Sequence, residues 1–77
     1  MSEPEYESGA FSLVAAGDGR WGVYDAYDNR IHLTFAKRDT AIAAIDALDE
    51  STQFMKLDAE YDVWRPIARA ELGQKEA

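Results

Sequence analysis

The chain has 77 residues, 47% of them hydrophobic and 30% charged. It has room for a single domain, close to the size at which a hydrophobic core alone barely holds a fold, and too many apolar and aromatic residues to be disordered throughout. Fifteen acidic residues against eight basic ones give a formal net charge of -7, a field that repels nucleic acid and anionic membranes and attracts basic protein surfaces, and the absence of cysteine excludes disulfide frameworks and thiolate metal centres.

Residues 1–9 carry Glu3, Glu5 and Glu7, one proline and one aromatic, and read as a flexible acidic tail. The segment is acidic where a secretory signal needs basic residues followed by an apolar run, and no stretch approaches the roughly 20 apolar residues of a membrane span. A soluble protein in a reducing, cytoplasmic setting is therefore expected.

Ala10 to Ala16 is a short apolar run closed by Gly17-Asp18-Gly19, the pattern of a strand and a turn. Trp21 to Tyr27 is dense in strand-favouring residues, and Asp28-Asn29 tolerates the backbone of a tight hairpin. Arg30 to Ala36 alternates, with Ile31, Leu33 and Phe35 on one face and His32 and Thr34 on the other. These segments predict a three-stranded antiparallel meander.

Two registers compete for the second hairpin. A two-residue turn aligns Ala26, Tyr24 and Gly22 with the apolar set of the third strand; a three-residue loop aligns Trp21, Val23 and Tyr27 instead and brings Asp25 inward. Burial favours the second, because Trp and Val outweigh Gly and Ala at roughly 25 cal/mol per Å² of apolar area, although a desolvated Asp25 takes back a few kcal/mol.

The period changes at Asp39, a good N-cap residue. Ala41, Ile42, Ala44, Ile45 and Leu48 form one stripe while Asp46, Asp49 and Glu50 face away, predicting a helix over 39–50. Lys37 and Arg38 precede it, where the helix dipole disfavours them, and suit the strand end or a partner. After Ser51 the alternation of Met55, Leu57, Ala59, Tyr61 and Val63 with Lys56, Asp58, Glu60 and Asp62 fits a strand, while Leu57, Tyr61, Trp64, Ala68 and Leu72 fit a helical stripe. Acids and alanine are poor strand formers, so 54–63 is read as helix or irregular structure. Pro66 predicts a break near Trp64 and a short helix from Pro66 to Leu72. The expected fold is α+β: the meander packed by one amphipathic helix, with Trp64, Ile67 and Leu72 at its edge, a globular domain over residues 10–72 and a flexible C-terminus over 73–77.

Catalytic chemistry finds no constellation. His32, the single histidine, reads as a surface residue on the outer face of its strand, with no cysteine and no serine elbow to pair with it. Gly17-Asp18-Gly19 is a turn and lacks the further glycines of a phosphate loop. Asp58, Glu60 and Asp62 place carboxylates at alternate positions, but a straight segment cannot wrap a hard cation. No enzyme activity, metal or cofactor is expected.

The acidic stretch is the most informative feature. Between residues 46 and 62 stand Asp46, Asp49, Glu50, Asp58, Glu60 and Asp62, with Lys56 as the only base. Acids about 6 Å apart on a helix or strand approximate the charge repeat of a nucleic-acid strand and can occupy a basic groove built for phosphates. The aromatics Tyr61 and Trp64 interleave with these acids, as does Phe54, and such side chains commonly anchor interfaces.

Small size, strong acidity and a sheet-plus-helix layout, carried by these six acids with Tyr61 and Trp64, resemble phage-encoded inhibitors of the anti-CRISPR type that mimic DNA. The resemblance is one of class and not of motif. It implies a non-catalytic protein that binds the basic surface of a nucleic-acid-handling complex, such as a CRISPR surveillance complex, and blocks DNA access. The alternative is an accessory domain that self-associates as a homodimer through a sheet edge. Three strands and a helix also resemble the DNA-binding domains at the start of phage integrases, which read DNA with a distinctly basic sheet. Here Arg20, Arg30, Lys37 and Arg38 are nearly balanced by Asp18, Asp25 and Asp28, so direct nucleic-acid or membrane binding is not expected.

Overall fold

The computed structural model describes residues 6–73, with side chains up to residue 71. The elements run β1 (Tyr6–Ser8), β2 (Phe11–Gly17), β3 (Arg20–Asp25), β4 (Arg30–Phe35), α1 (Arg38–Gln53) and α2 (Leu57–Gly73). The fold is α+β: four antiparallel strands in the order β1-β2-β3-β4, followed by two helices.

Strand alternation directs Phe11, Leu13, Val23, Leu33 and Phe35 to one face, where Ala41, Ala44, Ile45 and Leu48 of α1 and Tyr61 and Ala68 of α2 close the core. Small alanines on α1 let the helix approach the sheet, and the large side chains come mainly from the strands. Trp21, Ile42, Leu57 and Trp64 pack around this centre half-buried, with Trp64 edge-on to Phe35 at a ring separation of 6.1 Å.

The predicted N-terminal tail is corrected over Tyr6–Ser8, which adds a fourth strand to the meander by pairing with Phe11–Leu13. Long-range contacts hold it: the Tyr6 ring packs against the core, its hydroxyl donates to Asp46 at 2.6 Å, and the Ser8 hydroxyl donates to Asp49 at 2.8 Å. The remainder of both predicted tails, residues 1–5 and 74–77, lies outside the described residues.

At the second hairpin Trp21 and Val23 align with two of the three expected residues, Trp21 opposite Phe35 and Val23 opposite Leu33, with Asp25 buried, whereas Ile31 lies opposite Tyr24 and is exposed, which corrects its place in the apolar set. Tyr27 instead sits in the turn, largely exposed, with its ring edge against Phe11. The connection is four residues long, Ala26 to Asn29, and the register shifts by one between Val23 and Tyr24. Tyr24 faces Ile31 while Val23 faces Leu33, so His32 is the extra residue of a bulge in β4.

The first helix starts one residue before the expected position, with Lys37 as N-cap and no side-chain cap bond, so Asp39 lies in the first turn instead of capping it. The entry is held from outside, because the Glu71 carboxylate accepts the backbone N–H groups of Ala36 at 2.9 Å and Lys37 at 3.2 Å. Arg38 stacks over Trp21 at 5.8 Å.

The second helix is continuous from Leu57, so the expected break near Trp64 is absent and Pro66 sits inside it. Proline removes one i to i-4 bond and strains the turn, a cost of about 3 kcal/mol. Pro66 and Asp62, whose carbonyl loses its donor, are both exposed, so water can satisfy that carbonyl. Burial of Leu57, Tyr61, Trp64 and Ala68 on the opposite face offsets the rest. Ile67, expected at the packed edge, is on the exposed side.

Gly9 links β1 to β2 with φ +60, and a Cβ at that position would collide with the Asp49 carboxylate. Gly19 has φ +76 and open space around it. Gly9→Ala is therefore expected to lower unfolding free energy by about 2–3 kcal/mol and Gly19→Ala by only about 1 kcal/mol, as measured by urea denaturation.

Candidate functional site

The six acids of the stretch 46–62 do not form one row. Asp46 and Asp49 lie on the flank of α1 that faces β1, bound to Tyr6 and Ser8. Asp62 pairs with Arg65 at 3.3 Å, and Arg65 borders a hollow with His32, Leu33 and Thr34 of β4, the opposite edge of the sheet. Asp58 stands one turn before Asp62 on the same helix. Glu60 is turned aside to accept the Trp64 indole N–H at 2.8 Å. Glu50 is exposed on α1. Strands about 4.8 Å apart separate the two edges by roughly 14 Å, beyond the Debye length of about 8 Å at physiological salt. Asp46 and Asp49 therefore lie on one side of the molecule and Asp62 on the other, too far apart to act as one charge cluster.

The aromatics also divide. Tyr61 is 4% exposed, its ring in the core, so it is not available as the partner-binding anchor expected of it. Trp64 is half-buried against Phe35 and tied to Glu60, which gives it a structural task. Phe54 and Met55, by contrast, are 65% and 92% exposed at the turn between the helices.

That turn has a specific geometry. The N–H of Lys56 reaches the Ser51 carbonyl at 2.7 Å and the N–H of Met55 reaches that of Thr52 at 3.1 Å, while Met55 adopts φ +59. This pair of bonds is the Schellman ending of a helix, whose left-handed residue is normally glycine. A side chain there costs about 1–2 kcal/mol, and Met55 recovers none of it by burial. Thr52, Met55, Leu57 and Asp58 border a shallow hollow beside it, with Glu50 one turn back along α1.

Among the described residues the edge strand β1 is three residues long, and the other edge strand, β4, carries a bulge; both features blunt an edge.

A second concentration of chemistry lies beneath the N-terminal half of α2. The bulge turns His32 toward the helices, so the predicted surface histidine has a side chain only 11% exposed, its ring 5.0 Å from that of Tyr61. Its Nε2 lies 2.8 Å from Asp28 Oδ2 and 3.5 Å from Asp25 Oδ2. Asp25 accepts the Tyr27 N–H on Oδ1 at 2.8 Å and the Tyr61 hydroxyl on Oδ2 at 3.1 Å. Alternation alone could not reveal this group. The signal available was the inward-facing Asp25, which needs polar neighbours once buried.

Burial and the adjacent Asp25 carboxylate push the Tyr61 hydroxyl well above the ordinary tyrosine range, so it remains a neutral donor. At Tyr6 the hydrogen bond to Asp46 acts in the same direction. Comparison with known proteins finds no matching family model, no similar curated protein and no similar solved structure. Among the described residues no helix is long and apolar enough to cross a membrane.

The linkage has a definite sign. A tyrosine that holds its proton more tightly when folded stabilises the fold fully below the unfolded pKa of about 10, and this contribution is lost as pH rises beyond it. Stability measured by denaturant titration is expected to fall above about pH 10, and Tyr61→Phe should flatten that decline. At neutral pH the same variant should cost about 1–3 kcal/mol, because Asp25 loses a buried donor.

Proposed function

We propose that the protein is a non-catalytic binding protein that docks the α1–α2 end on a basic surface of another macromolecule and occludes it. The observation that carries this reading is Met55, a large side chain held in a left-handed conformation at a glycine-favouring position and left almost wholly in water beside Phe54. Strain retained without packing return is characteristic of binding positions, and methionine and aromatic side chains are the adaptable and the rigid components of interface centres.

Charge supplies the partner's class. The net charge of -7 favours a basic surface; Asp58 and Lys56 border the hollow beside Met55, and Glu50 lies one turn back along α1. Assemblies that handle nucleic acids expose such surfaces, and the likeness to anti-CRISPR inhibitors makes a CRISPR surveillance complex the most specific candidate. The division of the acids between two sheet edges favours occlusion by an apolar anchor in an acidic field over phosphate-by-phosphate mimicry.

Two double variants test the site: Phe54→Ala with Met55→Ala, and Glu50→Lys with Asp58→Lys. Tag-captured protein is incubated with nuclease-treated host lysate and eluted on a salt gradient. The expected result is a partner released at moderate salt from the wild type and lost from both variants, since charge steering weakens steeply with ionic strength. A partner kept by both variants removes the α1–α2 end from consideration, and salt-independent retention, or no retained partner, removes the basic surface. Met55→Gly separates stability from binding: it should raise stability by about 0.5–1 kcal/mol while weakening capture.

A further inference from the structure

The β3–β4 hairpin carries chemistry that docking at the α1–α2 end does not use. Asp25, Asp28 and His32 each offer a ligand atom, and the three atoms lie within 4.8 Å of one another. Two ligands of one cation bound at about 2.1 Å are roughly 3.0 Å apart in octahedral geometry and roughly 3.4 Å apart in tetrahedral geometry. The separations of 2.8 and 3.5 Å from His32 Nε2 to Asp28 and Asp25 bracket that range, so shifts of a few tenths of an ångström bring these atoms to the spacing of ligands on one ion.

We propose that Asp25, Asp28 and His32 form a binding site for one first-row divalent transition cation, with Zn²⁺ as the reference ion. Two carboxylates and one imidazole are a borderline donor set, which suits zinc, cobalt or manganese better than calcium, since calcium takes oxygen ligands in greater number.

Charge favours the same reading. Asp25 is 2% exposed, and its Oδ2 faces the imidazole nitrogen at 3.5 Å, too far for a hydrogen bond. The nearer partner of that nitrogen is Asp28, so a protonated His32 would serve the exposed carboxylate better than the buried one. A divalent cation among the three atoms balances both carboxylates with His32 neutral, the form in which imidazole ligates.

The surroundings are those of an oriented ligand set. Tyr61, from an element 36 residues away in sequence, donates to Asp25 Oδ2, and the Tyr27 N–H fixes Oδ1. Outer hydrogen bonds of this kind orient ligating carboxylates. The bulge is what brings the histidine to this side of the sheet. Asp28, with a side chain 60% exposed, leaves the remaining coordination positions open to water. Arg65 and Arg69 of α2 border the hollow beside His32; Arg65 lies 5.1 Å over the Tyr61 ring and is paired with Asp62.

His32 is the single histidine, and there is no cysteine, so tag-free protein gives an unambiguous assay. Zn²⁺ is titrated calorimetrically, and the ring nitrogens of His32 are followed by ¹⁵N NMR. The expected result is saturable binding of one ion at micromolar concentration, a shift of the Nε2 resonance and a higher melting temperature in the presence of zinc. Asp28→Asn and His32→Asn should each weaken binding at least about tenfold, whereas Asp58→Asn should leave it unchanged. Asp28 is exposed, so its variant stays folded even where Asp25→Asn does not. Binding that is weak and multiple, equal in wild type and Asp28→Asn, undetectable, or satisfied only by Mg²⁺ or Ca²⁺ would each overturn the assignment.

Discussion

The bulge at His32 is the constraint on which the remaining architecture depends. A four-residue connection that pairs Asp25 with Arg30 would, in an unbroken ladder, set Val23 against His32 and Trp21 against Thr34. Leu33 and Phe35 would then point away from the helices. One inserted residue restores them to the core side, and burying a leucine and a phenylalanine is worth roughly 3–6 kcal/mol, against about 1 kcal/mol for a disturbed ladder bond. The same insertion turns the imidazole inward, beside Asp25. Core register and the polar group under α2 are thus two results of one irregularity.

How much of this was legible follows from which contacts are local. The helix over 39–50 and the three longer strands carry their own periodicity, so pattern alone located them. The strand β1 has a single apolar residue, Tyr6, and is held by hydrogen bonds to residues 40 and 41 positions away, which no window of sequence can contain. Leu57 to Val63 satisfied both periods at once, and the choice between them was made by packing of Tyr61 and Trp64 on the sheet. Pro66 misled because its cost depends on whether the freed carbonyl meets water, a matter of which side of the helix faces out.

The polar group was hidden for a related reason. Alternation assigns His32 to the outer face, and only the conflict between a four-residue connection and an inward Trp21 would have required an extra residue in β4. In sequence Tyr61 stands among acids, the setting of an interface anchor. On a helix, though, a residue's neighbours in sequence are mostly not its neighbours in space. Its ring instead shares the core with Leu57 and Ala68, and its hydroxyl supplies the donor that a buried Asp25 requires.

The strongly acidic composition takes on a different meaning once each carboxylate is placed. Asp46, Asp49, Glu60, Asp62 and Glu71 each accept a bond or pair from a donor in this chain, and Asp25 accepts two. Much of the negative charge therefore fastens β1 to α1, α2 to the entry of α1, and the β3–β4 hairpin to α2. A surplus of charge repels itself in a compact state, and spreading it over two edges of the sheet weakens that repulsion by screening. No such structural account covers Phe54 and Met55: one is an exposed aromatic, the other a strained and exposed thioether, and glycine would close the same turn at lower cost. On the binding reading proposed above, these two residues would be accounted for by what the chain meets, and the end of the helical pair, more than the acids as a group, would carry the contact.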